Sequence, residues 1–132
     1  MILGAVTPKN QKHLRSSLHP NTIKPILDMG IDIIFESGLG KGMDVNDEVF
    51  LSLGAKSASR EVCLSQSDVL MSTSPIAVNE ISAMKDQALF LGLMEPFSNK
   101  EQFSAFHLNN VSAVSMEFIP RITRAQKMDV LS

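Results

Sequence analysis

The chain is poor in residues that form disulfides or bind metals. It has 132 residues, no tryptophan, no tyrosine and one cysteine, Cys63, and phenylalanine alone makes up its aromatic fraction of 5%. A single cysteine excludes a disulfide framework and a cysteine-rich metal site, and it gives no reason to expect an oxidising compartment. The histidines His13, His19 and His107 show no metal-ligand spacing. We therefore expect them to be surface or capping groups, with no bound metal.

Long apolar runs and a strong charge of either sign are also missing. The net charge is -2, with 44% hydrophobic and 20% charged residues, which is typical of a globular protein and does not predict nucleic-acid binding. No stretch approaches the ~20 apolar residues of a membrane helix, and the first residues, M-I-L-G-A-V, lack the basic flank of a signal peptide. We expect a cytoplasmic chain of one domain, because its length suits one ordinary core.

Short apolar segments alternate with helical segments along the chain. The predicted strands are residues 2–6, 31–35, 69–72, 88–93 and 111–116, and the predicted helices are residues 20–29, 45–53, 60–65, 77–84 and 100–108, the third of them capped by Ser59. Apolar strands separated by helices favour parallel pairing through right-handed crossovers. The predicted fold is α/β, a three-layer sandwich with a mostly parallel sheet of about five or six strands. It is flavodoxin- or Rossmann-like, without its own dinucleotide fingerprint.

The segment after the last predicted strand carries several polar groups. Pro120 imposes a turn, because the residue before a proline avoids the helical conformation, and a helix begins at Ile122. Arg121, Gln126 and Asp129 therefore follow the carboxyl end of a strand, where α/β proteins hold ligands. Their groups suit a planar amide or a carboxylate. Residue types alone favour a simpler interpretation, a solvated turn in which Arg121 pairs with a nearby acid.

Residues 116–132 carry a more specific pattern, M-E-F-I-P-R-I-T-R-A-Q-K-M-D-V-L-S. The segment closely resembles the end of the N-terminal domain of the alanine dehydrogenase and NAD(P) transhydrogenase family. It is most similar to the transhydrogenase branch, whose pattern is P-R-I-S/T-R-A-Q-x-M-D-x-L-S. The resemblance implies that Arg121, Asp129 and Ser132 bind the nicotinamide carboxamide of NAD(H). It implies a catalytic position for Gln126, between the two nicotinamides at the site of hydride transfer.

The resemblance also implies an assembly around this chain. In the transhydrogenase branch, hydride passes from NADH to NADP+ and is coupled to proton translocation through membrane subunits, while a partner subunit binds NADP(H). We therefore expect residues 1–132 to be the N-terminal domain, or a fragment, of an alpha subunit, without the NAD-binding Rossmann domain that would follow. The implied assembly is a homodimer, cytoplasmic and peripheral to the inner membrane through its partner subunits.

Arg15 is a weaker candidate for substrate binding. It lies in L-R-S-S-L-H-P, which resembles the family segment R-V-A-x-S/T-P. In alanine dehydrogenases the equivalent arginine binds the carboxylate of pyruvate, which suits a bidentate guanidinium. Ser16, Ser17 and His19 depart from the family pattern, and this favours a solvated or locally paired arginine.

Two turns separate the branches of the family. Alanine dehydrogenases carry a lysine and a histidine in turns where this chain has Thr73, in S-T-S-P, and Met94, in L-M-E-P. Neither side chain is a cationic anchor or a general acid at neutral pH. The sequence therefore favours direct hydride transfer between nicotinamides over amino-acid oxidation.

A glycine-rich turn, residues 38–42 with the sequence G-L-G-K-G, follows the second predicted strand. Such turns can bind phosphate, but this one matches neither the P-loop nor the dinucleotide pattern. The segment I-F-E-S-G-L-G resembles the family's V-x-E-x-G-A-G strand and turn, so we expect a structural turn.

Two alternative functions stay open at this point. The first is an alanine dehydrogenase-like oxidoreductase domain, in which pyruvate binding depends on Arg15. The second is a noncatalytic flavodoxin-like interaction module, in which the polar loop around Arg121 binds a protein.

Overall fold

The computed structural model of the protein describes residues 1–7, 17–41, 44–74, 76–92 and 100–115. Strands and helices alternate throughout these ranges, as the apolar pattern predicts. In chain order the elements are β1 Ile2–Ala5, α1 Pro20–Asp28, β2 Asp32–Glu36, α2 Asp47–Ser52, β3 Lys56–Ala58, α3 Arg60–Gln66, β4 Val69–Ser72, α4 Val78–Ser82, β5 Leu89–Gly92, α5 Lys100–Leu108 and β6 Ser112–Ser115.

The six strands form one sheet in the order β3-β2-β1-β4-β5-β6. Each neighbouring pair is parallel, and the central strand β1 places Leu3 opposite Ile33 of β2 and Val69 of β4. The predicted α/β class with a parallel sheet is confirmed. The strand order reverses between β1 and β4, and in open α/β sheets the crevice outside the carboxyl ends of such strands is where ligands bind.

Helices cover both faces of the sheet. On one face, Phe50 of α2 packs on Phe35 of β2 with ring centroids 5.1 Å apart, in a buried cluster that also includes α1. On the other face, Phe106 of α5 stacks on Phe90 of β5 at 5.4 Å, in a cluster shared with α3 and α4. These two cores confirm the three-layer sandwich.

A glycine in β1 brings α3 close to the sheet. A Cβ atom added at Gly4 would lie 1.9 Å from the Oγ of Ser67, so any larger residue would push the end of α3 away. Ser67 is fully buried and its hydroxyl donates to the carbonyl oxygen of Cys63 at 2.5 Å. This contact holds the carboxyl end of α3 against β1. Arg60, at the other end of the helix, is thereby placed beyond the carboxyl ends of the strands.

Side-chain caps define where two helices begin. The Nδ1 atom of His19 accepts a hydrogen bond from the amide of Asn21 at 3.1 Å, which gives this histidine the predicted capping role at α1. The hydroxyl of Ser59 accepts from the amide of Val62 at 3.2 Å, which confirms the predicted start of α3. Both caps lie beyond the carboxyl ends of strands, on the side of the sheet where strands lead into helices. We call this side the carboxyl edge and the opposite side, where the strands begin, the amino edge.

The structure adds a strand that the apolar pattern does not predict. β3 has the sequence K-S-A, and its first two residues are exposed. It pairs with β2 through the backbone, with Lys56 opposite Ile34, at one edge of the sheet. A short edge strand that carries lysine resists pairing with other chains, and for the same reason it lacks an apolar signal.

Candidate functional site

Most of the predicted site residues lie outside the described ranges. This holds for Arg121, Gln126, Asp129 and Ser132, which the sequence assigns to the nicotinamide, and for Arg15 and Met94. Their predicted roles therefore stay predictions. The described residues do define the carboxyl edge of the sheet, from which the segments that carry these residues continue.

Arg60 is the centre of an ion cluster at that edge. Its Nη1 atom donates to Glu36 Oε1 at 2.9 Å and its Nε atom donates to Glu80 Oε2 at 2.5 Å. The same Nη1 atom lies 3.0 Å from the carbonyl oxygen of Thr7. We call these four residues, Thr7, Glu36, Arg60 and Glu80, the Arg60 cluster. Its members come from the ends of β1 and β2 and from the first turns of α3 and α4.

The two carboxylates of the cluster also hold backbone amides. Glu36 Oε1 accepts from the amide of Thr7 at 2.8 Å and from its hydroxyl at 3.0 Å. Glu80 Oε1 accepts from the amide of Ala77 at 2.9 Å, at the position that precedes α4. Arg60 is therefore linked through Glu36 to the chain that leaves β1, and through Glu80 to the turn before α4.

Burial sets the electrostatics of the Arg60 cluster. The exposed fractions of the side chains are 16% for Arg60, 22% for Glu36 and 10% for Glu80. Burial alone lowers the pKa of Arg60, but the hydrogen bond to Glu80 and the charges of both carboxylates outweigh it, so the pKa is raised above its usual value. The guanidinium therefore stays charged, and it neutralises one of two carboxylates that would otherwise repel each other.

The cluster occupies the position at which Rossmann folds bind a nucleotide. In those folds a glycine-rich turn follows β1 and an acidic residue farther along binds the ribose. Here Glu36 ends β2, and its Oε1 atom is engaged by Thr7 and Arg60. The residues after β1 begin V-T-P-K-N, without glycine. The side chains of the Arg60 cluster thus pair with one another near the point where the strand order reverses.

The turn after β4 is polar and buried. The hydroxyl of Ser72 donates to the carbonyl oxygen of Ser74 at 2.7 Å and accepts from the amide of Ser74 at 3.2 Å. Thr73 lies between them with 9% of its surface exposed, directly after β4 as predicted. A threonine at this position provides a hydroxyl and no positive charge, so it cannot replace a cationic substrate anchor.

The glycine-rich turn after β2 is held by a carboxylate. Asp47, the first residue of α2, accepts from the amide of Gly38 at 2.9 Å and from the hydroxyl of Ser37 at 2.5 Å. Gly38 has a φ of +90°, a conformation that favours glycine. Because a carboxylate already occupies the amide that a phosphate would need, the geometry favours the structural interpretation of this turn.

The described ranges offer neither a metal site nor a reactive thiol. No group of three or more histidine, cysteine, aspartate or glutamate side chains in these ranges is arranged to hold a metal ion. No helix in the same part of the chain is long and apolar enough to cross a membrane. Cys63 is buried, and burial, followed by the nearby charge of Glu36, raises the pKa of its thiol to about 11. Such a thiol is unreactive at neutral pH.

Comparison with known proteins gives the family. The family model described as "Alanine dehydrogenase/PNT, N-terminal domain" matches residues 6–132. The chain belongs to this family. The match includes the segment that carries Arg121, Gln126, Asp129 and Ser132, on which the sequence resemblance rests.

Curated relatives of the family share the transhydrogenase name. A protein of Rhodospirillum rubrum, named as the first of the parts that make up NAD(P) transhydrogenase subunit alpha, is 31% identical over 124 residues, which cover 89% of this chain and 32% of the relative. A protein of Haemophilus influenzae named NAD(P) transhydrogenase subunit alpha is 30% identical over 133 residues, which cover 100% of this chain and 26% of the relative. The chain therefore spans about a third of the length of these relatives or less.

Solved structures agree with the family assignment. The transhydrogenase from Sinorhizobium meliloti superposes with a TM-score of 0.86 at 28% identity. The superposition covers 99% of this chain and 39% of the transhydrogenase chain. An L-alanine dehydrogenase superposes with a TM-score of 0.77 over 87% of this chain and 32% of its own. At 17% identity the second likeness shows the fold alone.

The Arg60 cluster was not predicted from the sequence. Its members are distributed from Thr7 to Glu80, and each occupies a strand end or a first helical turn, where a polar residue is ordinary. One partial signal exists, since Glu80 follows Ala77 by three residues, the spacing at which a glutamate caps the start of its own helix. The partnership with Arg60 has no signature in the sequence.

Proposed function

We propose that this chain is the N-terminal domain, or an N-terminal fragment, of the alpha subunit of a proton-translocating NAD(P) transhydrogenase. The observation that carries the proposal is the identity of about 30% over 89–100% of the chain with proteins that bear that subunit name. The strand order agrees with a domain that places a nicotinamide site at the carboxyl ends of its strands while another domain binds the rest of the dinucleotide.

The proposed reaction is a direct hydride transfer. The hydride leaves C4 of the dihydronicotinamide of NADH and bonds to C4 of the nicotinamide of NADP+, so that NADH becomes NAD+ and NADP+ becomes NADPH. Both reactive groups belong to cofactors, and the protein supplies binding, orientation and electrostatics. Arg121, Asp129 and Ser132 bind the carboxamide of NAD(H), and Gln126 lies where the two rings meet. Each of these roles belongs to the proposal.

The remaining components of the proposed enzyme lie outside this chain. A following Rossmann domain binds the phosphates and ribose of NAD(H), and a partner subunit binds NADP(H). Membrane subunits couple hydride transfer to proton movement, and the alpha subunit is a cytoplasmic homodimer attached to the inner membrane through them. The proposed reaction requires no metal.

An alanine dehydrogenase-like activity is the alternative, because the matching family model covers both enzymes. That activity needs a cationic substrate anchor and a general acid. Thr73 follows β4 as a buried hydroxyl, and the chain has Met94 at the second position. In the alternative, pyruvate binding would therefore depend on Arg15.

Isotope transfer in the complete transhydrogenase tests the proposal. NADH carrying deuterium at C4 is mixed with NADP+, and mass spectrometry measures the deuterium in NADPH. We expect deuterated NADPH with the unchanged protein, and a loss of about 10²-fold in rate for Arg121→Gln or Asp129→Asn, because each removes a group that orients the ring. Lys127→Gln is the matched control, since it removes a charge from the same segment at a position the family pattern leaves open.

The outcomes separate the three candidate functions. Unchanged rates in the Arg121 and Asp129 variants would remove the proposed roles of those residues. Alanine-dependent reduction of NAD+ that is lost in Arg15→Gln would establish the dehydrogenase instead. Absence of both activities in the complete protein would favour the noncatalytic interaction module.

The chain alone gives a second test. Without the dinucleotide-binding domain we expect no hydride transfer and at most millimolar affinity for NADH. The fluorescence of NADH reports binding directly, and the lack of tryptophan and tyrosine keeps the protein background low. Micromolar binding would contradict the proposed division between domains.

A further inference from the structure

The Arg60 cluster connects three segments at the edge of the sheet that faces the proposed cofactor. One is the chain leaving β1, which continues from Thr7 toward Arg15. The second is the end of β2 at Glu36. The third is the turn that leads from Thr73 to α4, which Glu80 holds through the amide of Ala77. All three are linked to one guanidinium.

We propose that Arg60 is a positioning residue for the nicotinamide site. It acts through Glu36 and Glu80, which hold the amides of Thr7 and Ala77 on either side of the reversal in strand order. This inference rests on the proposed function, because it assigns these two backbone positions to the edge at which the cofactor is bound. Arg60 itself is directed into the protein and contacts no cofactor in this proposal.

The geometry requires an arginine. The guanidinium uses Nη1 for Thr7 and Glu36 and uses Nε and Nη2 for Glu80, at 2.5 and 3.4 Å. An arginine presents these donors in one rigid plane, whereas a lysine presents a single ammonium group on a flexible chain. Arg60→Lys therefore keeps the charge but cannot hold both carboxylates at the observed positions.

Amide hydrogen exchange of this chain measures the positioning directly. In Arg60→Lys we expect the amides of Thr7 and Ala77 to exchange roughly tenfold faster, because the carboxylates that accept from them are no longer fixed. The amide of Gly38 is the internal control, since the carboxylate of Asp47 holds it without Arg60. Unchanged exchange at Thr7 and Ala77, or equal acceleration at Gly38, would overturn the proposal.

The kinetics of the complete transhydrogenase distinguish positioning from a purely structural role. For Arg60→Lys we expect kcat to fall about tenfold while KM for NADH changes less than about threefold, because misplaced loops affect ring orientation more than overall binding. Lys85→Met is the matched control, because it breaks an ion pair at the opposite edge of the sheet. Unchanged kcat in the folded Arg60 variant would leave Arg60 with a structural role only and overturn the inference.

Failure of the proposed function would look different. In that case the unchanged protein itself would transfer no deuterium from NADH to NADP+, whatever residue stands at position 60. A wild-type protein that is active, with an Arg60→Lys variant that is equally active, would contradict the positioning role alone.

Discussion

The carboxyl edge of the sheet carries two ion pairs that share Arg60 and the amino edge carries one, and the two edges differ in the burial and the number of their partners. At the carboxyl edge, Arg60 binds two carboxylates with side-chain exposures of 10% and 22%. At the amino edge, Lys85 binds Asp68 at 2.8 Å, with exposures of 48% and 34%. Buried charges are costly to leave unpaired, whereas exposed pairs contribute little. Charge at the carboxyl edge therefore has structural consequences, since the carboxylates that Arg60 binds also accept from the amides of Thr7 and Ala77.

The largest expected effect comes from removing the charge at the carboxyl edge. Arg60→Met leaves Glu36 and Glu80 partly buried without their common cation, and we expect unfolding to become easier by about 2–4 kcal/mol. Urea denaturation followed by far-ultraviolet circular dichroism measures this, since the chain has no tryptophan or tyrosine to report by fluorescence.

A neutral cluster is the control for that experiment. The triple variant Glu36→Gln, Arg60→Met, Glu80→Gln removes all three charges and keeps side-chain oxygens that can accept from the backbone. We expect it to recover more than half of the lost stability, because no charge is left unpaired. A single variant within about 1 kcal/mol of the wild type would show that the cluster behaves like an exposed pair.

The sheet was largely predictable from the sequence because its central strands are apolar and buried. β4, Val69–Ser72, and α5, Lys100–Leu108, have the predicted limits, and each of the other predicted elements is present with ends shifted by at most two residues. β3 was not predictable. Its three residues present no apolar face, and backbone pairing with β2 alone defines it as a strand.

The site was only partly predictable, for a different reason. The resemblance of residues 116–132 to a known family identified the candidate cofactor contacts, since consecutive residues carry that pattern. The Arg60 cluster joins residues of β2, α3 and α4 with Thr7, two residues after the end of β1. No local pattern shows that Glu36 and Glu80 contact the same guanidinium, because these contacts depend on the order of the strands and on the position of α3.

A second prediction uses Cys63 as a probe of the carboxyl edge. The thiol is buried one turn along α3 from Arg60, and at pH 7 a pKa of about 11 leaves only about 10⁻⁴ of it as reactive thiolate. Alkylation should therefore require local opening. We expect Arg60→Met to accelerate it roughly thirtyfold, measured by mass spectrometry under native conditions.

Lys85→Met provides the comparison for the alkylation rate. Its side chain lies at the amino edge and is 48% exposed, so opening around Cys63 should not depend on it. Equal acceleration in both variants would mean that labelling follows global unfolding and that the two edges do not differ.

A smaller effect is expected where the carboxyl edge is exposed. Asp47→Ala removes the acceptor for the amide of Gly38 and the hydroxyl of Ser37, and we expect a loss of about 1 kcal/mol in unfolding free energy. Thermal denaturation measures it. Phosphate should not stabilise the wild type, and stabilisation by phosphate that increases in Asp47→Ala would instead support a phosphate-binding turn.

The smallest effect is expected at the amino edge, and pH reveals it. The hydrogen bond from Lys85, followed by the one from the amide of Ile2, holds the pKa of Asp68 below its usual value of 3.8. A lowered pKa in the folded state means that the pair contributes stability above about pH 4 and loses it as the pH falls through the folded pKa. In Lys85→Met, NMR titration should show the pKa of Asp68 rise toward its usual value. It should stay somewhat below that value, because the hydrogen bond from the amide of Ile2 still lowers it. An unchanged Asp68 pKa would mean that the pair at the amino edge is not formed in solution, and the contrast between the two edges would then rest on the Arg60 cluster alone.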